Sequence, residues 1–269
     1  MSELMQMFSY PFMQRALLVG ILVSLCAALL GVSLVLKRYS MIGDGLSHVG
    51  FGALALASAL NLAPLAVTIP VVVASAIALL RLSRSKLLRG DAAIAMIASS
   101  SLALGVLCIS LSGGINSELS SYMFGSILAI SRSDAVLSVI LCAVVLLLFV
   151  LFYPRLFAVT FDECFAKATG TNAELFNTLL AVLTAVTVVL GMRMMGALLI
   201  SSLIIFPALS AMRVCRSYRA VVVVSACVSV GCFVLGAIAS YFLETPTGAS
   251  IVLANLLVFC LLYLIGRRR

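Results

Sequence analysis

An aspartate and the chain's single histidine are the residues whose types and spacing can do chemistry. Asp44 and His48 lie four positions apart in the stretch from Met41 to Gly52. Residues at this spacing share one face of a helix, with Cβ atoms about 5–6 Å apart. A carboxylate and an imidazole on one face can hold a divalent cation, and this combination suits Zn²⁺ and also accommodates Mn²⁺.

The sequence around this pair is strongly apolar. The chain has 269 residues, of which 64% are hydrophobic and 10% charged, whereas soluble domains are about 25% charged. Nine runs are long enough to cross a bilayer, because a spanning helix needs about 17–25 apolar residues. The predicted fold is therefore an all-α polytopic membrane protein with about nine (eight to nine) transmembrane helices. The runs are 16–36, 41–60, 64–80, 92–111, 135–153, 175–191, 195–212, 220–242 and 249–266.

An acidic group at this depth in a membrane is energetically unfavourable. An aspartate at the bilayer centre costs about 2.5–3.5 kcal/mol on insertion scales, which favours a role in a substrate path, a proton relay or a partner contact. At about 1.5 Å per residue, His48 lies about 15 Å inward of Arg38, near the midplane. Ser47, water, a second acid or a second copy would complete a metal shell. The alternative without metal is that Asp44 pairs with Lys37 or Arg38 and the imidazole hydrogen-bonds a carbonyl.

The net charge of +8 describes topology rather than a nucleic-acid partner. Lysine and arginine gather on the cytoplasmic side of membrane proteins, and the basic clusters here fall in every second loop. This pattern predicts an outer N-terminus and a cytoplasmic C-terminus. It leaves three of the 17 basic residues outside: Arg15, Arg132 and Arg193.

The long connection after the fourth run adds further candidates. Residues 119–131 are only moderately apolar and too short to span, so they predict a short outer or re-entrant helix, which needs protein or a cavity around it. Glu118 and Asp134 are candidates for guiding a metal at the outer face, or are solvated loop acids. In the seventh run, Pro207 frees a backbone carbonyl and predicts a kink beside the path.

Between the fifth and sixth runs, residues 160–170 predict a short amphipathic cytoplasmic helix. Thr160 or Asp162 can cap its start, and Gly170 suits a left-handed end. Two aromatic residues four apart give an apolar side, and an i,i+4 ion pair supports the helix. The segment either lies on the membrane surface or docks on a cytoplasmic partner. The aromatic residues are Phe161 and Phe165, and the ion pair is Glu163 with Lys167.

Together these segments resemble a known family, the permease subunits of zinc- and manganese-type ABC importers. The Asp44–His48 stretch resembles the family's second-helix signature, residues 160–170 resemble its coupling helix, and Gly196–Ala211 is similar to its apolar stretch ending in proline and small residues. The stretches Tyr122–Leu128 and Pro246–Gly248 match in place and order. The likeness covers essentially the full length.

The resemblance implies a type II ABC-importer-like permease, with residues 1–269 forming one transmembrane domain in the bacterial plasma (inner) membrane. Two copies would form the channel, cytoplasmic ATPase subunits would drive it, and an extracytoplasmic lipoprotein would deliver Zn²⁺, or Mn²⁺ next, as cargo. No intrinsic cofactor is expected. Asp44 and His48 would then belong to the metal's path. The residues that would couple to the ATPase are Phe161, Asp162, Glu163, Phe165, Ala166 and Gly170.

Two other functions compete with this one. An enzyme is disfavoured because neither G-x-S-x-G nor H-E-x-x-H occurs, and the adjacent Ser47 and His48 point to different helix faces. The phosphate-binding G-x-x-x-x-G-K-[S/T] sequence is also missing, so ATP hydrolysis would need a separate subunit. A secondary carrier or channel for a divalent cation is the alternative, but it normally carries more ionisable residues within its spans.

Overall fold

The computed structural model describes residues 10–83, 90–111 and 132–266, and these residues form helices and turns without a strand. The apolar runs predict this, because only helices satisfy their own backbone hydrogen bonds within a lipid-exposed segment. In chain order the helices are α1 (Pro11–Leu36), α2 (Ile42–Ala59), α3 (Pro64–Ser83), α4 (Gly90–Leu111), α5 (Arg132–Leu151), α6 (Tyr153–Phe161), α7 (Glu163–Ala168), α8 (Ala173–Met195), α9 (Ala197–Val214), α10 (Tyr218–Leu243) and α11 (Thr247–Gly266).

A helix occupies each of the nine predicted runs, namely α1 to α5 and α8 to α11. Within the described ranges, seven of these helices are long and apolar enough to cross a membrane by length and composition. The other two are α2 and α9, with 18 residues each. In α2, Asp44 and His48 lower the apolar character. The prediction of a multi-pass membrane protein is therefore confirmed. Among the described residues, however, seven helices rather than nine are long and apolar enough to cross a membrane.

Helix α1 lies at the centre of the bundle and packs against α5, α8, α9 and α10. Small residues allow close approach, and packing with interhelical hydrogen bonds drives association in lipid. The hydroxyl of Ser229 on α10 donates to the carbonyl of Ser24 on α1 over 2.9 Å. Near one end of the same helix pair, the hydroxyls of Ser33 and Tyr218 are 3.0 Å apart.

Contacts between helix ends define two ends of the bundle. At the first, Lys37 after α1 lies beside Glu163 of α7, and Arg213 of α9 lies over the ring of Tyr263 on α11. This end also holds Arg155, which lies over the Phe176 ring, so we call it the basic end.

The opposite end holds the three arginines that the charge pattern predicted outside. Arg193 at the end of α8 pairs with Asp134 at the start of α5. Arg15 of α1 and Arg132 of α5 line one cavity of about 530 Å³. The basic residues located here therefore separate between the two ends as an oriented membrane protein requires.

Helix α4 runs parallel to α2, since Gly45 faces Ile94 and Gly52 faces Ser101. Because α2 starts at the basic end, α4 finishes at the opposite end, where α5 also begins. The predicted re-entrant helix at residues 119–131 lies outside the described residues and stays a prediction.

The predicted cytoplasmic helix is divided in two. Asp162 adopts an extended conformation, and its carboxylate accepts a hydrogen bond of 2.9 Å from the backbone N–H of Phe165, which caps α7. Thr160 and Phe161 consequently belong to the end of α6 rather than to the same helix. Gly170 follows α7 with a φ of 81°, the left-handed end that the sequence predicts.

The close approach of α1 and α9 gives a testable prediction. A Cβ atom at Gly31 would lie 2.2 Å from the carbonyl oxygen of Ile204, so Gly31→Ala must push the two helices apart. Such overpacking costs about 1–3 kcal/mol, and we expect a lower thermal unfolding midpoint for the detergent-purified protein.

Gly231 on α10 is the matched control, because a Cβ atom there meets nothing within 4 Å. Gly231→Ala should be neutral or stabilising, since alanine is favoured over glycine in a helix by about 0.5–1 kcal/mol. Equal midpoints for the two variants would contradict the packing described for α1 and α9.

Candidate functional site

The two residues of the candidate site lie in the first two turns of α2, just after a tight turn from α1. Arg38 has a left-handed φ of 61°, and the N–H of Tyr39 donates to the carbonyl of Leu34 over 2.8 Å. This arrangement closes the end of α1 as a Schellman motif. Helix α2 begins only a few residues later, so this turn sets where its first residues start relative to the end of α1.

The imidazole of His48 and the carboxylate of Asp44 face each other, with Nε2 and Oδ2 3.7 Å apart. Two atoms that each bind one ion at about 2.1 Å can be up to ~4.2 Å apart, so the observed separation is compatible with one shared cation. The side chains are 42% exposed for Asp44 and 30% for His48, although the rest of this stretch is mostly buried. The pair therefore points away from the packed core of its own chain.

Ser201 of α9 is a third polar group at the site, and the sequence analysis missed it. Its hydroxyl donates to Oδ1 of Asp44 over 3.3 Å. Ser47, proposed from sequence as a ligand, is buried and donates instead to the backbone carbonyl of Asp44 over 2.7 Å. The only sequence signal for Ser201 is a hydroxyl within the apolar stretch Gly196–Ala211.

The observed contacts of Lys37 do not support the alternative in which this lysine neutralises Asp44. The Lys37 ammonium donates to Oδ1 of Asn177 and lies 4.0 Å from Oε2 of Glu163. The Asp44 carboxylate instead contacts His48 and Ser201. The acid at the site is therefore available to a cation.

One chain supplies an incomplete shell. Among the described residues, no three histidine, cysteine, aspartate or glutamate side chains cluster closely enough to hold a metal. Zinc sites usually have four ligands in a tetrahedron, whereas this site offers Asp44, His48 and the hydroxyl of Ser201. A complete shell needs water or a second copy.

Of the two acids predicted at the outer face, the structure describes only Asp134. Glu118 lies outside the described residues and stays a prediction. Asp134 forms an ion pair with Arg193, with Oδ2 2.6 Å from a guanidinium nitrogen and both side chains partly buried. This contact gives Asp134 a structural partner between α5 and α8, and its role toward a metal stays a prediction.

Pro207 lies inside α9, which is assigned as one helix across it. A separate break in the helical backbone occurs at Gly196, the single residue between α8 and α9, with a φ of 89°. Glycine adopts this backbone without the Cβ strain of other residues. The kink assigned to Pro207 as part of a pathway stays a prediction.

The two sides of the α6–α7 segment differ in character. Phe161 and Phe165 are 60% and 63% exposed, whereas Ala166 is buried. Glu163 faces inward and binds Asn177, while also pairing with Lys167 over 3.2 Å as predicted. The segment therefore presents aromatic side chains outward and polar contacts to the bundle.

Comparison with known proteins shows the family to which the chain belongs. The family model described as the ABC 3 transport family matches residues 9–266. The chain belongs to the ABC 3 transport family. The predicted resemblance to metal ABC-importer permeases is thus confirmed, and membership in this family identifies the chain as a transport protein.

Curated relatives in this family resemble almost the whole chain. The high-affinity zinc uptake system membrane protein ZnuB of Haemophilus influenzae is 33% identical over 91% of this chain and 94% of the relative. The manganese import system permease protein ScaB of Streptococcus gordonii is 28% identical over 97% and 93%. These relatives are named for different ions, so the family itself leaves the choice of ion open.

Two solved structures share the fold. PsaBC from Streptococcus pneumoniae in complex with Fab matches with a TM-score of 0.87 and 29% identity, covering 97% of this chain and 95% of that chain. An inward-facing putative metal-chelate type ABC transporter matches with a TM-score of 0.77 at 18% identity, covering 97% and 88%. The second likeness describes the fold alone.

The ion pair at the opposite end gives a second prediction. Arg193→Met leaves the partly buried carboxylate of Asp134 without this partner, and we expect a loss of about 1–3 kcal/mol, the cost of an unpaired charged hydrogen-bonding group. The thermal unfolding midpoint of the purified protein measures this loss. Adding Asp134→Asn should restore most of the stability.

The single variant Asp134→Asn separates the structural role from metal guidance. If the pair is structural, metal uptake at saturating metal changes little in cells that keep normal amounts of the protein. If uptake instead disappears while the unfolding midpoint is unchanged, Asp134 acts on the metal directly.

Proposed function

We propose that this chain is the membrane-spanning permease subunit of an ATP-driven divalent metal importer, with Zn²⁺ as the first candidate and Mn²⁺ as the next. The observation that carries the proposal is the cluster of Asp44, His48 and Ser201 in a protein of this family. An acid and an imidazole 3.7 Å apart face outward from the otherwise apolar α2, and Ser201 reaches the acid from α9. Family membership favours this function over a secondary carrier or channel.

The chemistry of the ligands supports zinc before manganese. Imidazole nitrogen suits zinc, whereas manganese is well served by carboxylate, carbonyl and water oxygens. His48 contributes the nitrogen, and Asp44 and Ser201 contribute oxygens that either ion accepts. The relatives named for zinc and for manganese keep manganese as the second candidate.

A homodimer would complete the site. Asp44 and His48 are partly exposed in one chain, so a second copy facing the first would bring an equivalent pair. Four protein ligands then become available, the number that a tetrahedral zinc site requires. In this arrangement the channel runs between the two copies, each of which acts as one transmembrane domain over residues 1–269, and alternating access exposes the metal to each side in turn.

The charge distribution supports an orientation in the bacterial plasma membrane. By the positive-inside rule the basic end faces the cytoplasm, which gives an outer N-terminus and a cytoplasmic C-terminus. The exposed Phe161 and Phe165 then face a cytoplasmic ATPase subunit. A metal-binding lipoprotein would deliver the ion at the opposite end.

The metal site gives a third prediction. Asp44→Asn removes a charged ligand and His48→Ala removes the imidazole, so each should reduce radiolabelled zinc or manganese uptake by more than ~100-fold. Ser201→Ala should reduce uptake at limiting metal by about tenfold, because a group that orients a ligand typically contributes 10–100-fold to affinity. Uptake into cells in which these variants replace the native chain measures the effect.

Ser202 provides the matched control for Ser201. Its hydroxyl donates to the carbonyl of Leu199 within its own helix over 2.9 Å, so Ser202→Ala should leave uptake almost unchanged. Normal uptake by both the Asp44 and the His48 variants would contradict the proposed metal path.

The exposed aromatic residues give a fourth prediction. Phe165→Ala should weaken co-purification of the ATPase subunit with this chain about tenfold or more, because aromatic side chains often dominate protein interfaces. The ATP hydrolysis rate of the complex captured through a tag on this chain measures the bound subunit. Asp162→Ala, which removes the cap of α7, should act in the same direction.

Leu243→Ala is the control for this experiment. Leu243 is 69% exposed, similar to Phe165, but it ends α10 at the opposite end of the bundle. Its replacement should leave the captured ATP hydrolysis unchanged. Equal capture by the Phe165 variant would remove the docking role from this segment.

A further inference from the structure

A lysine is buried at the junction between the metal-site helix and the docking segment. Lys37 directly follows α1, and its side chain is only 9% exposed. A buried ammonium group is stable only with hydrogen-bonding or charged partners. The sequence suggested Lys37 as a possible partner of Asp44, but its observed contacts lie elsewhere.

Three elements meet at this lysine. The ammonium donates to Oδ1 of Asn177 on α8 and lies 4.0 Å from Oε2 of Glu163 on α7. Nδ2 of Asn177, which is 2% exposed, donates to the same Oε2 over 3.2 Å. We call Lys37, Asn177 and Glu163 the Lys37 cluster.

On the docking side, the cluster holds α7 to the bundle. This helix has six residues, too few for independent stability, so its position depends on contacts with the rest of the chain. Ala166 is buried on its inner face, and Glu163 makes the polar contact with Asn177. A displacement of the outward-facing Phe165 therefore also displaces Glu163, because both lie within one turn of the same short helix.

On the other side, Lys37 is joined to the metal site through a closed turn. The N–H of Lys37 donates to the carbonyl of Ser33 over 3.1 Å, and the N–H of Ile42 donates to the carbonyl of Tyr39 over 3.0 Å. The backbone between α1 and α2 is thus hydrogen-bonded at both ends. Asp44 follows Ile42 by two positions, so a displacement of this turn moves the carboxylate.

We propose that the Lys37 cluster is the positioning element that links movement of the α6–α7 docking segment to the geometry of Asp44 and His48. This proposal rests on the proposed ATP-driven import and assigns a route between its two sites. Glu163 then acts inward on the bundle, while Phe161 and Phe165 contact the partner. Lys37 and Asn177 act through Glu163 and the α1–α2 turn and do not touch the metal.

The test compares Lys37→Met with Lys37→Arg in the tagged complex and in cells. Lys37→Met should retain capture of the ATPase subunit and ATP hydrolysis, but reduce metal uptake per ATP hydrolysed by about tenfold, within the usual range of coupling between distant sites. Lys37→Arg keeps the charge and should retain most of the uptake. Unchanged uptake per ATP in Lys37→Met would overturn the proposal.

A double variant separates coupling from folding. Lys37→Met with Glu163→Gln removes both charges of this pair, so the Glu163 carboxylate is no longer left without Lys37, and protein abundance and the unfolding midpoint should return to normal. If the cluster couples the two sites, this double variant remains uncoupled. If normal uptake returns together with stability, the cluster is only structural and the proposal fails.

Lys167 supplies the matched control. It pairs with the other oxygen of Glu163 over 3.2 Å but is 59% exposed and lies on α7 itself, so it makes no link to α1. Lys167→Met should keep uptake per ATP within about twofold, as expected for an exposed ion pair. A loss as large as that of Lys37→Met would assign the effect to the charge of Glu163 alone and contradict the proposed link.

These outcomes are distinguishable from failure of the proposed function. Absence of ATP-dependent metal uptake in the unaltered complex would reject the importer itself. Normal uptake in the unaltered complex, with full coupling in Lys37→Met, would reject only the Lys37 cluster as the connection.

Discussion

The structure depends on the placement of an acid and an imidazole in an apolar helix. In a membrane such groups are stable only where protein, water or an ion replaces bulk water. Asp44 obtains a hydroxyl from Ser201 and a neighbouring imidazole from His48, while the outward side of the pair is left open. The helix that carries them is held in place by packing against α3, α4, α8 and α9.

Small residues make that packing close enough to position polar groups. Gly31 brings α1 against the backbone of α9 at Ile204, and Gly52 brings α2 against the backbone of α4 at Ser101. Because apolar surface gains little from leaving lipid, such close contacts and interhelical hydrogen bonds replace the hydrophobic effect as the source of association. The position of Ser201 beside Asp44 follows from the approach of α9 to α1 and α2.

Charged residues join helices at both ends of the bundle. At the opposite end, the contact between Arg193 and Asp134 joins α8 to α5. At the basic end, Lys37 joins α1 to α7 and α8. Both contacts are partly or largely shielded from water, so salt screens the attraction between their charges less than in exposed pairs. Charged residues that sequence patterns assign only to topology therefore also connect helices.

The sequence by itself determined the features that depend on residues only a few positions apart in the chain. The helix at each apolar run, the Asp162 cap, the Glu163–Lys167 pair and the left-handed Gly170 all follow from spacings of a few positions, as does the common face of Asp44 and His48. Only the tertiary structure decided which distant groups meet. Ser201 is 157 positions from Asp44, Asn177 is 140 from Lys37 and Arg193 is 59 from Asp134. The physical reason is that helix periodicity fixes a side chain's direction on its own helix, whereas its partner depends on how whole helices pack.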